Sequence, residues 1–251
     1  MFMFKKGEGL VRATTAQKGF TLLELLIVIT VLAILSVVLI FVLNPTEILA
    51  KSRDTQRISD LSTLKTAIAI YMSTVSGPQL DGTSGTVNDK CDGGTGANEE
   101  LWLSINTTAG GGESVTDATP PTGWTQAATS WEQNASTTGA TLVDGTGWIP
   151  VNLGAITGGS PISNLPLDPT NDLSTTTGSD TSTAAVLNNG ALMYRYACKK
   201  TPASFEIDSR LESGSYGVGG SDDRSAKDGG NNSNLFEMGT GLTILPGTND
   251  F

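Results

Sequence analysis

Eight consecutive residues near the start of this 251-residue chain, Gln17-Lys18-Gly19-Phe20-Thr21-Leu22-Leu23-Glu24, place a cation, a glycine, an aromatic ring and a lone carboxylate at the head of an uncharged apolar run. An acidic side chain costs about 2.5–3.5 kcal/mol at the centre of a membrane helix, and less near an end. Glu24 must therefore sit at the interface in the first helical turn, where the positive end of the helix dipole favours it, or else meet a cation. Further along, Asp222, Asp223 and Asp228 with Gly229 and Gly230 offer the oxygen donors that suit calcium, although their spacing departs from an EF-hand loop and equally describes a solvated acidic turn. Cys91 and Cys198 make one candidate disulfide in an oxidising compartment, and their spacing matches no metal signature. Catalytic chemistry has little to work with. The chain has no histidine, no Gly-x-Ser-x-Gly elbow and no phosphate-binding loop, and Asp168 followed by Pro169 reads as a turn. The expectation is a protein that is not an enzyme and needs no cofactor, with calcium the one metal its residues would suit.

The element that positions the first string is a span. Leu25–Leu43 is 19 residues with Thr30 and Ser36 its only polar members, long enough at 1.5 Å per residue to cross a hydrocarbon core of roughly 30 Å. Lys5, Lys6, Arg12 and Lys18 precede it and no basic residue follows until Lys51, so the positive-inside rule predicts N-in, C-out. A secretory signal peptide would have a shorter apolar region ending in small residues, whereas this run continues into Asn44-Pro45. Beyond it the period becomes helical and amphipathic: Ile58, Leu61, Leu64, Ile68, Tyr71, Met72 and Val75 form a stripe, with Lys51, Arg53, Asp54, Arg57, Asp60 and Lys65 largely off it. Pro45 either kinks a continuous helix or opens a fresh one at its first position, and Gly77-Pro78 ends it. Unbroken from Phe20 to Ser76, the helix would be roughly 85 Å long.

The formal charge is −10, and removal of residues 1–19 would take four basic and one acidic side chain, leaving 11 basic against 24 acidic and a net −13. A nucleic-acid binder needs a basic stripe, so sequence-specific nucleic-acid binding is excluded. Residues 79–190 are rich in Gly, Ser, Thr, Asn and Asp, with apolar islands at Leu101–Ile105, Trp148–Leu153 and Ile162–Leu165, and read as loops on a small scaffold. Strands are predicted at Leu192–Cys198 and Phe205–Leu211. In the second, Phe205, Ile207 and Leu211 alternate with Glu206, Asp208 and Arg210, which predicts a hairpin with one buried and one wet face, covered by the 58–75 stripe. Leu235–Met238 and Leu242–Leu245 are two further short segments. Trp102, Trp124, Trp131 and Trp148 could line a carbohydrate platform, but in a body with few other large side chains they read as core. The sequons at Asn106, Asn134 and Asn231 are expected by chance in so Thr- and Asn-rich a chain.

The string from Lys18 to Glu24 resembles the prepilin signal of type IV pilins and type II secretion pseudopilins. The resemblance implies cleavage between Gly19 and Phe20 by an inner-membrane prepilin peptidase, N-methylation of Phe20, and an assembly role for Glu24 as the fifth mature residue. It covers about Lys18–Ser76. Pro45 falls a few positions later than the helix-breaking proline of most members. Asn164–Asn171 and the hairpin from Tyr194 to Leu211 look like the sheet region of major pseudopilins and small pilins, and major pseudopilins bind calcium in a C-terminal loop. The resemblance further implies that the carboxylate of an incoming subunit attracts the N-terminal amine of its neighbour, setting the axial stagger.

These readings predict an α+β fold with a leader (1–19), an apolar transmembrane and assembly helix (20–44), an amphipathic helix (45–76) and an extracytoplasmic head with a small antiparallel sheet and long loops (77–251). The expected function is that of a structural filament subunit, its partners being further copies of itself, the prepilin peptidase, an inner-membrane assembly platform and the membrane. It would be single-pass in the inner membrane before assembly, and in an extracellular or periplasmic filament afterwards. A secretion pseudopilin is the close alternative. A membrane-anchored adhesin or sugar-binding module that never polymerises would keep the anchor and lose the need for Glu24.

Overall fold

The computed structural model describes residues 19–82, 88–92, 100–104, 139–170 and 192–245. The leader before Gly19, Trp124, Trp131, and the sequons at Asn106 and Asn134 lie outside them. The chain divides into two units, Met1–Pro45 and Thr46–Phe251.

In the first unit, helix α1 runs over Leu22–Leu43, an apolar stretch whose two polar members turn back on the helix: Thr30 Oγ1 donates to the Ile27 carbonyl at 2.8 Å and Ser36 Oγ to that of Leu32 at 2.7 Å. No hydroxyl is left for the surroundings to satisfy. The helix does not continue unbroken. Asn44, left-handed at φ 40°, ψ 73°, caps its C-terminus, and Pro45 is the first residue of the next helix. Of the two roles open to Pro45, the helix start is the one found, because a first-turn position has no N–H partner to lose.

In the second unit, helix α2 (Pro45–Thr74) buries Leu61, Leu64, Ile68 and Tyr71 as the periodicity predicts, with Ile58, Met72 and Val75 partly buried against the same core. Gly77, at φ +67°, turns the chain out of the helix. The sheet has four antiparallel strands in the order β1 (Trp102–Leu103), β2 (Tyr194–Lys199), β3 (Ser204–Ser209) and β4 (Phe236–Gly239). Register places Trp102, Tyr196, Ile207 and Met238 in one row across the sheet, facing α2 with Tyr194 and Phe205. Trp102 and Trp148 belong to this core, 2% and 0% exposed, and so form no sugar-binding platform. The fold is α+β, with a small sheet closed by one amphipathic helix. Leu242–Leu245, predicted as a segment of its own, is not a strand.

The sequence pattern misjudged two faces. The outer row of the sheet, Arg195, Asp208 and Glu237, with Glu206 beside it, is buried rather than wet, because residues 230–232 and 244–245 fold over it. Asp54 and Arg57, placed off the apolar stripe of α2, are also fully buried, in an ion-pair cluster. Alternation with charged residues signals a solvent face only where nothing later in the chain returns to cover it.

Candidate processing and assembly site

Thr21 is the N-cap of α1, with extended backbone at φ −78°, ψ 151°, and with Glu24 it closes a capping box. The Glu24 N–H donates to Thr21 Oγ1 at 3.2 Å, while the Thr21 N–H and hydroxyl donate to Glu24 Oε2 at 2.9 and 3.0 Å. Two groups left orphaned at a helix start are thus satisfied by side chains. Thr21-Leu22-Leu23-Glu24 is the capping-box spacing, so this function of Thr21 was open to a reading of the sequence that attended to the cap as well as the carboxylate. Ahead of the cap, Phe20 is 92% exposed, and a Cβ built on Gly19 would meet nothing within 4 Å. Gly19 and Phe20 are thus exposed and non-helical immediately before the helix start.

Behind this head the aliphatic side chains of α1 face outward all round, Leu22, Ile27, Leu32, Val37 and Val42 among them. Leu22–Ile40 is long and apolar enough to cross a membrane. Residues 14–40 match the family model of the prokaryotic N-terminal methylation motif. The chain carries a prepilin-type signal. No curated protein and no solved structure matches the chain. The matched segment contains Gly19 and Phe20, the Glu24 carboxylate held in the first helical turn, and most of the apolar helix behind it.

The other residues singled out by the sequence lie in the second unit. Cys91 and Cys198 form a disulfide, with Cα atoms 4.7 Å apart, joining the turn after Asn88 to the end of β2. Asp222, Asp223 and Asp228 do not converge. Asp222 pairs with Arg224 at 2.6 Å and Lys227 at 2.8 Å, Asp223 accepts from the Gly219 and Ala226 amides, and Asp228 accepts from those of Gly230 and Glu237. Among the described residues no group of three or more Asp, Glu, His or Cys side chains is arranged to hold a metal ion.

The buried cluster around Arg57 is not foreshadowed by any local pattern. Its guanidinium contacts Asp168 and Thr170, Asp54 at 2.9 Å and Glu212 at 2.7 Å. Burial alone would lower the Arg57 pKa, but the hydrogen bonds and charges of Asp168 and Glu212 outweigh it, and the net shift is upward. Asp54 Oδ1 and Oδ2 also accept the Glu212 and Ser213 amides, and Glu47, seven residues earlier on α2, accepts those of Gly214 and Ser215. Acids of the helix thus fix the stretch 212–215. No local motif announces this, since its two sides, on α2 and in residues 168–215, are more than a hundred residues apart in sequence.

Proposed function

We propose that this chain is a structural subunit of a type IV pilus-like filament, cut by a prepilin peptidase between Gly19 and Phe20, methylated on the new Phe20 amine, and polymerised through α1. The observation that carries the reading is the pairing of a capped, carboxylate-bearing helix start with an apolar helix exposed on all sides. Each exposed Leu, Ile or Val is worth about 1.5–3 kcal/mol when removed from water, so α1 requires lipid around it or other copies of itself. The filament satisfies the same surface that the membrane satisfied before. Residues 1–19, with their four basic side chains, stay on the cytoplasmic side and the acidic head is exported.

Glu24 has a distinct part in this scheme. Within one chain its carboxylate is held by Thr21, which suits a helix start at the membrane interface. Among packed helices that environment dries out, and a carboxylate there calls for a cation. The Phe20 amine of a neighbouring subunit supplies one after cleavage. The charge then sets register between subunits.

The test joins two measurements on cells expressing the full chain. Mass spectrometry of the mature protein should find an N-terminus at methylated Phe20, and shearing should release filaments containing it. An intact Met1 terminus overturns the processing step. Correctly processed subunits that stay membrane-bound under every expression level, with no filament inside or outside the cell, favour an anchored binding module. Filaments confined to the periplasm assign the chain to a secretion pseudopilus.

A further inference from the structure

The outer face of the sheet holds an arrangement of carboxyl groups that the filament reading does not use. Glu206 on β3 and Glu237 on β4 are 0% and 1% exposed, they lie on the same outer face of two paired strands, and their carboxyl groups interact. The second oxygens are committed elsewhere: Glu206 Oε2 accepts the amides of Ile244 at 2.7 Å and Leu245 at 3.1 Å, and Glu237 Oε2 accepts that of Asn232 at 2.9 Å. The other oxygen of each, Oε1, is buried and has no hydrogen-bond partner. Two neighbouring buried carboxylates can satisfy each other only with a proton between them.

Among the described residues neither glutamate forms an ion pair. Arg195 of β2, the buried arginine of this face, bonds Asp208 of β3 at 3.0 Å. Arg210 lies just beyond β3, where burial and then the charge of Arg195 lower its pKa, and no salt bridge joins it to either glutamate among the described residues. From the loop before β4, Asp228 adds negative charge, with Asp223 behind it. The segment 244–245 contributes backbone amides. The covering is close: a Cβ at Gly230 would run into the Glu237 carboxylate, and the Asn231 side chain donates to the Leu245 carbonyl, tying the two covering segments together.

We propose that Glu206 and Glu237 share one proton, and that this proton latches residues 230–232 and 244–245 onto the sheet, so that the outer face of the head opens as the proton leaves. Loss of the proton would leave two buried charges beneath the strap, and the way to hydrate them is to lift it. The electrostatics agree with the geometry. Burial, then the interaction with Glu237 and the charge of Asp208, push the Glu206 carboxyl well above the usual range, and burial raises Glu237 as well, so the pair holds a proton at neutral pH.

Amide hydrogen exchange of the full chain in detergent between pH 6 and 9 tests the latch, after correction for the intrinsic base-catalysed rate. The opening constants at Asn232, Ile244 and Leu245 should rise with pH by up to about tenfold per unit, the limit for one linked proton, while amides at the centre of β2 and β3 stay closed. Glu206→Gln keeps the acceptor for residues 244–245 and adds a permanent donor toward Glu237, so it should hold the strap shut at every pH. A wild-type profile that is flat from pH 6 to 9 overturns the proposal, as does the same rise in Glu206→Gln. Loss of protection on adding EDTA at pH 6 also overturns it, by putting a cation where the proton is placed. If the variant does not fold, the wild-type profile decides alone.

Discussion

Arg57 grips both carboxylate oxygens of Asp168: Nε lies 2.7 Å from Oδ2 and Nη2 lies 2.9 Å from Oδ1, with both side chains fully buried. The pair joins the middle of α2 to a turn 111 residues later, and Asp168 Oδ1 also accepts the Thr170 amide at 2.8 Å, so the turn and the anchor are one structure. Because Arg57 also meets Asp54 and Glu212, its removal would take this cation from two fully buried acids, Asp54 and Asp168, and leave Glu212 to Arg53. Arg57→Ala should destabilise the folded head by about 3–5 kcal/mol, and Arg57→Lys by less, since it keeps the charge and loses the two-pronged geometry. Denaturant unfolding followed by the fluorescence of buried Trp102 and Trp148 reads this directly. A loss under about 1 kcal/mol for Arg57→Ala would class the cluster with solvent-exposed pairs.

The capping box separates the two roles of Glu24. Glutamine serves at the third helical position of such a box as glutamate does, so Glu24→Gln should preserve the start of α1, membrane insertion and cleavage after Gly19. It removes the charge. With mature subunit levels matched to wild type, the yield of sheared filaments should fall at least tenfold. Glu24→Gln filaments at the wild-type yield would show that capping is the whole purpose of the residue.

The Cys91–Cys198 bridge spans 107 residues, and both cysteines are buried in the core. In the chain-entropy account, closing a loop of that length stabilises by about 4–5 kcal/mol. The double substitution Cys91→Ala, Cys198→Ala should lower the unfolding free energy by an amount of that order. Thiol labelling of the oxidised, denatured protein should find no reactive cysteine, and two labelled thiols would show that the bridge does not form.

Two buried acids of the outer face give stability a definite sign with pH. Burial raises Asp208 to about 6 against the opposing pull of Arg195, and Glu206 stands at about 10. An acid whose folded pKa is raised stabilises the native state fully below its unfolded pKa, and that contribution is lost as pH climbs through the folded value. The Asp208 contribution therefore fades between about 3.8 and 6, and that of Glu206 between about 4.5 and 10. Glu212 acts oppositely: burial would raise it, but the hydrogen bonds of Arg53 and Arg57 prevail and lower it, so its contribution is present above 4.5 and lost on acidification. Between pH 6 and 9 the unfolding free energy should decline by up to about 1.4 kcal/mol per unit, the limit for one proton. A series of denaturant midpoints measures the slope, and a midpoint that rises steadily over that range would contradict it.

Much of the first unit was legible because its physics is local. An apolar run, a basic flank and a Gly-Phe junction keep their meaning wherever the chain goes next. The α2 stripe and the hairpin were legible for a related reason, since a period of 3.6 or 2 assigns a face before any partner is known. The break at Asn44 was harder, because the proline admitted both a kink and a new start, and a single left-handed residue decided between them.

What the sequence determined by itself is an exposed apolar helix with a processing signal at its head, and an amphipathic helix with strands for it to cover. Tertiary structure alone decided the fate of the charges. Arg57, Asp54, Asp168, Glu206, Asp208 and Glu237 are ordinary solvent residues by local pattern, and each is buried because a segment distant in sequence brings a counter-charge, a backbone amide or a covering loop to it. A side chain's apolar character is its own property, but whether a charge can be buried depends on which partners the rest of the chain delivers.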